Sequence, residues 1–121
     1  MGHYDPYLGD YLRSAHGEAF AAESLGVMER LDATLNADYT AAGVPMADVA
    51  SAFDLADRGQ VKWSGLPAVP LDVARACELT FMCNGPPLGH NLHPDDAGYR
   101  AIASAIAAAV AGSPDTAAAG T

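Results

Sequence analysis

Cationic side chains are scarce in this chain: six Lys and Arg stand against fifteen Asp and Glu, a formal net charge of -9. A surface so short of positive charge argues against nucleic acid or an anionic membrane as a partner. Long apolar runs are lacking too, and no stretch approaches the roughly 20 residues that span a bilayer. The opening Met1-Gly2-His3-Tyr4-Asp5-Pro6 has neither a basic start nor an apolar segment. No signal peptide is therefore expected, and expression as written would leave the chain in the cytoplasm. Cysteine is limited to Cys77 and Cys83, six apart. That spacing is compatible with a short disulfide loop, which would point to an oxidising compartment, and equally with two buried thiols. Large core side chains are also fewer than the composition suggests, because much of the apolar half of the 121 residues is alanine. One small domain with a modest core is the most this length supports.

What is present is mainly helical punctuation. Pro6 and Gly9 argue against a regular element in the tyrosine-rich start, His3 to Leu12, which reads as a packed loop. Ser14 to Gly17 continue as loop. From Glu18 to Ala42 the residues Ala21, Leu25, Met28, Leu31, Leu35 and Tyr39 step by three or four, predicting a long helix with one apolar core stripe, closed by Gly43. Val44 to Phe53 is the best strand candidate, with β-branched Val44 and Val49 and with Pro45 at its start. A long helix, a glycine and a strand form the second half of a βαβ unit, which predicts a parallel sheet. Asp48 would lie near the end of that strand in a structural role. Polar loops follow around Asp54, Asp57, Arg58 and Gly59, and again around Lys62, Trp63, Gly65 and Pro67. Pro70 to Cys77 suggests a short helix, and Asn84 to Gly89 is too rich in proline and glycine to be regular.

The chemistry gathers in Gly89-His90-Asn91-Leu92-His93-Pro94-Asp95-Asp96-Ala97-Gly98-Tyr99. His93 stands in a loop just before a helix start, where its ring can face solvent or substrate. Pro94 suits the first helical position, and Asp95 and Asp96 place negative charge on the first turn. Ile102, Ala103, Ile106, Ala107 and Val110 then recur at helical spacing and predict one packed face. His90 and His93 alone form a weak metal signal, since zinc sites usually need three or four ligands.

The run His93-Pro94-Asp95-Asp96-Ala97-Gly98-Tyr99, followed by Ile102-Ala103, resembles the C-terminal catalytic-histidine block of the SGNH (GDSL-type) esterases and lipases. Cys77 to Cys83 is similar to the cysteine-bracketed loop that precedes this block in secreted actinobacterial-type members. The resemblance extends over about residues 1–111, with 112–121 read from composition as a disordered tail. It implies the C-terminal portion of a flavodoxin-like three-layer α/β/α fold with a parallel sheet, its N-terminal strands missing. It also implies a disulfide between Cys77 and Cys83 and an extracellular, secreted full-length protein.

By that resemblance His93 is the general base that activates a serine nucleophile, and the substrate is a small-molecule or lipid ester. No cofactor is implied. The family's Gly-Asp-Ser nucleophile segment and its glycine and asparagine oxyanion donors have no counterpart among these residues. The chain is therefore expected to be inactive alone, as a truncated member, and to self-associate or pair with the missing N-terminal half. His90 occupies the place where many members carry the aspartate that orients the histidine; Asn91, Asp95 or a backbone carbonyl could take that role. A loop wall of Phe81, Met82 and Leu88 would shape an acyl or alcohol pocket. Two other classes remain: a non-catalytic interaction module pairing through an exposed strand edge, and a non-serine hydrolase or metal protein using His90 and His93.

Overall fold

In the computed structural model, which describes residues 1–63 and 67–112, the chain enters its first helical element through a buried carboxylate. Asp5 accepts the Tyr7 N–H at 3.1 Å, and Pro6 follows at the first helical position, so Pro6–Leu12 winds into a 3₁₀ helix. The packed loop expected from Pro6 and Gly9 is thus corrected: proline there starts a helix because its missing N–H would have no helical partner anyway. Gly17 then opens α1 (Gly17–Ala42) flush against that 3₁₀ helix. A Cβ on Gly17 would lie 2.1 Å from the Asp10 carbonyl oxygen, so only glycine permits the approach. Gly43 ends α1 in the left-handed conformation at φ 68°, as its position predicts.

The predicted stripe of α1 is core only over its first half. Ala21 and Leu25 are buried, whereas Leu35 and Tyr39 are half-buried and Leu31 is exposed. Further on, α2 (Val49–Ala52) is a single turn, β1 (Gln60–Val61) and β2 (Val69–Pro70) pair antiparallel, and α3 (Leu71–Leu79) runs on directly from β2. A short 3₁₀ turn, Phe81–Cys83, precedes the histidine loop, and α4 (Asp96–Ala111) closes the described chain. The core is formed by Leu8, Ala21, Leu25, Val69, Val73, Ala74 and Ala76, with Tyr11, Leu55, Val61 and Trp63 packed on it. Two expected features fall on residues outside those described: the loop around Gly65 and, beyond Gly112, the tail.

The parallel-sheet, three-layer α/β/α architecture is overturned. The described residues are mostly helical, and their one sheet is the two-stranded antiparallel pair with Gln60 opposite Pro70 and Val61 opposite Val69. The predicted strand Val44–Phe53 is loop up to Asp48 and then α2. Two local interactions explain this. Pro45 has no N–H for a ladder, and the Asp48 carboxylate accepts both the Ser51 N–H at 3.0 Å and the Ser51 hydroxyl at 2.6 Å, an N-cap that commits the next residues to a turn of helix.

The start of α4 also lies two residues later than expected, at Asp96 instead of Pro94. Asp95, expected within the first turn, is instead the capping residue: its carboxylate accepts the Gly98 N–H at 2.9 Å, and Pro94 lies outside the helix in an isolated bridge to Thr80. Of the expected packed face of α4, Ile102 is half-buried and Ile106 is 42% exposed, so the face packs mainly near its start.

Candidate active site at His93

The backbone on either side of His93 is tied to the end of α3. The Phe81 N–H donates to the His93 carbonyl at 3.1 Å, and the Asp95 N–H donates to the Leu79 carbonyl at 3.0 Å. Between them stands Thr80, fully buried, whose hydroxyl donates to the Ala76 carbonyl at 2.6 Å and accepts the Met82 N–H at 3.2 Å. Gly98 lets α4 approach this strut, since a Cβ there would lie 2.1 Å from the Leu79 carbonyl oxygen. On the other side, the Tyr4 hydroxyl donates to the Leu92 carbonyl at 3.0 Å, and the Tyr4 ring stacks on Phe53 with centroids 4.7 Å apart. Burial, and to a smaller degree the nearby Tyr99, push the Tyr4 hydroxyl above its ordinary value of 10.0, so it stays a neutral donor.

The His93 side chain itself is exposed, and its partner is Asn91. One amide oxygen, Asn91 Oδ1, lies 2.9 Å from the His93 backbone nitrogen and 2.6 Å from Nδ1 of the ring. An amide oxygen only accepts, so Nδ1 carries the proton and the Nε2 lone pair is left for chemistry. Of the three groups left open by the sequence, Asn91 is the one in contact with the ring. Asp95 is occupied in capping α4.

His90 and His93 do not converge. His90 adopts φ 59°, and its Nδ1 lies 3.3 Å from the Met82 carbonyl oxygen, while the His93 ring turns to Asn91. Among the described residues no group of three or more His, Cys, Asp or Glu is placed to hold a metal ion. Of the described serines, Ser24 donates to Asp5 at 2.8 Å and Ser51 to Asp48, so the hydroxyls of both are engaged by carboxylates.

Cys77 and Cys83 are joined as a disulfide, with Cα atoms 5.0 Å apart. Of the residues expected to form a pocket wall with Phe81, Met82 is buried in the fold and Leu88 is 57% exposed. A cavity of about 180 Å³ opens beside the disulfide, walled by Leu12, Trp63, Val69 and Val73, with Arg13 and His90 also lining it. It gathers residues from positions as far apart as Gly9 and His90, and no spacing rule brings such distant positions together. No helix of the described residues is long and apolar enough to cross a membrane. No known protein family, curated protein or solved structure matches the chain.

Proposed function

We propose that this chain carries the general base of an SGNH/GDSL-type serine ester hydrolase, with His93 as that base and Asn91 as the group that orients it. The observation that carries the reading is the Asn91 Oδ1 contact to Nδ1 at 2.6 Å, which leaves Nε2 of an exposed ring free to take a proton. In the reaction Nε2 removes the proton of a serine hydroxyl as that oxygen attacks the ester carbonyl. The imidazolium then gives the proton to the departing alcohol, and water, deprotonated in the same way, releases the acid. The serine and the oxyanion donors come from a polypeptide segment other than these residues. The Cys77–Cys83 disulfide supports an oxidising, extracellular setting for the assembled enzyme.

The test is hydrolysis of p-nitrophenyl butyrate by the chain alone, and by a protein extended through the codons that precede Met1 in its source. The chain alone gives no acyl-enzyme burst. The extended protein turns over the ester, and His93→Ala lowers its kcat about a thousandfold or more. An extended protein without esterase activity, or with activity indifferent to His93→Ala, overturns the reading.

A further inference from the structure

The cavity beside the disulfide is a second site, independent of what His93 does. Its walls are hydrocarbon and indole: Val69 and Val73, both almost wholly buried, face it together with Trp63. The ionisable side chains that line it are Arg13 and His90, both nitrogen bases, and no carboxylate is among its described lining residues. Arg13 sets a guanidinium on an otherwise apolar lining, which favours an anionic end on the occupant. Arg13 has donors to spare: its Nη1 is engaged by Asp10 within the same 3₁₀ segment, and a guanidinium carries five N–H groups. The His90 Nδ1 faces the Met82 carbonyl, which holds the ring in place at the cavity.

Size sets the rest. A dry apolar cavity of about 150 Å³ takes a benzene-sized molecule, so about 180 Å³ suits an apolar body of five or six carbons. We propose that this cavity binds a small monocarboxylate, its hydrocarbon body against Val69, Val73 and Trp63 and its carboxylate on Arg13.

Trp63 is the sole tryptophan of the chain, so its fluorescence reports on this cavity. The experiment titrates the full chain with sodium hexanoate at pH 7, with 1-hexanol as the uncharged control. Saturable change in Trp63 emission with hexanoate is expected, about tenfold weaker binding for 1-hexanol, and a similar loss of hexanoate binding in Arg13→Gln. Leu12→Trp would narrow the cavity from an exposed position and abolish hexanoate binding, read by the Trp63 indole N–H resonance, with circular dichroism verifying that the helices persist. His93→Ala leaves hexanoate binding unchanged, which separates this site from the ester-hydrolase reading. Equal binding of hexanol and hexanoate, indifference to Arg13→Gln, or no saturable change at Trp63 each overturns the proposal.

Discussion

A single oxygen, Asn91 Oδ1, accepts from both the backbone N–H and the ring Nδ1–H of His93, at 2.9 and 2.6 Å. The two-residue spacing closes a turn of the kind asparagine makes with the backbone two residues on. The ring is thereby fixed by the same group that fixes the loop. The carbonyl of His93 is held in turn by the Phe81 N–H, which connects the ring's orientation to the end of α3.

Asn91→Ala should remove the ring's orientation without unfolding the chain. Its side chain is exposed, so the expected loss of stability is within about 1 kcal/mol. The neutral His93 ring of the parent carries its proton on Nδ1; in Asn91→Ala a measurable share moves to Nε2. Two-bond ¹H–¹⁵N couplings of the His93 ring distinguish the tautomers. A parent ring protonated mainly on Nε2 would contradict the assignment of Asn91.

Two helical glycines should respond to alanine with opposite signs. At Gly26, in the middle of α1, the nearest atom to an added Cβ is an Arg30 nitrogen 3.6 Å away, so the helix gains propensity and about 0.5–1 kcal/mol. At Gly98 the Cβ would meet the Leu79 carbonyl oxygen at 2.1 Å and the Pro94 Cβ at 2.8 Å. Gly98→Ala should therefore push α4 off the end of α3 and destabilise by about 1–3 kcal/mol. Urea midpoints of the two variants decide it, and stabilisation by Gly98→Ala would mean that α4 does not dock there.

How much of this was legible from the residues depends on how local the cause was. Helix α1, its Gly43 stop, α3 and the body of α4 follow from spacing within one element, and these formed where expected. The start of α4 shifted from Pro94 to Asp96 because a carboxylate at Asp95 that can accept the N–H three residues on outweighs proline's preference for the first helical position. The strand at Val44–Phe53 failed for a different reason. A strand requires partners elsewhere in the chain, whereas the cap lies wholly within the four residues from Asp48 to Ser51. His93 could be singled out from its neighbours, but its bond to Asn91 was one of three open choices. The cavity between Arg13, Trp63, Val73 and His90 was invisible, because nothing in a linear pattern encodes which distant segments share a wall.

Arg58 and Arg75 both pair with carboxylates, yet their removal should differ. Arg58 Nη1 lies 2.9 and 3.0 Å from the two oxygens of Asp72, whose side chain is fully buried and whose Oδ1 also accepts the Val73 N–H. Arg58→Ala strands a buried carboxylate, at about 2–3 kcal/mol, below the roughly 3–5 kcal/mol of a fully buried pair because Arg58 itself is partly solvated. Arg75 bridges the more exposed Asp54 and Glu78, so Arg75→Ala should cost about 0–1 kcal/mol. Chemical denaturation of both variants at pH 7 gives the comparison, and equal losses would refute it.

Asp5 gives the fold a pH dependence of unusual sign for a carboxylate. It is 2% exposed, and burial pushes its carboxyl above the ordinary 3.8, only partly opposed by hydrogen bonds from Ser24 and the Tyr7 N–H. Its second oxygen, Oδ2, is buried without a partner among the described residues, which fits a protonated group better than a charged one. A raised folded value means that the native chain binds this proton more tightly than the unfolded chain. The stabilisation is therefore complete below about pH 3.8 and is lost as pH rises through the higher folded value. Asp5→Asn keeps an oxygen to accept from Ser24 and Tyr7 but cannot ionise. Unfolding free energies of parent and variant, measured from pH 3 to pH 8, should therefore diverge: relative to Asp5→Asn, the parent loses stability as the acid ionises and then runs parallel. A difference between the two that stays constant with pH, or that grows in the parent's favour as pH rises, would show that Asp5 is charged in the native fold and that burial does not govern it.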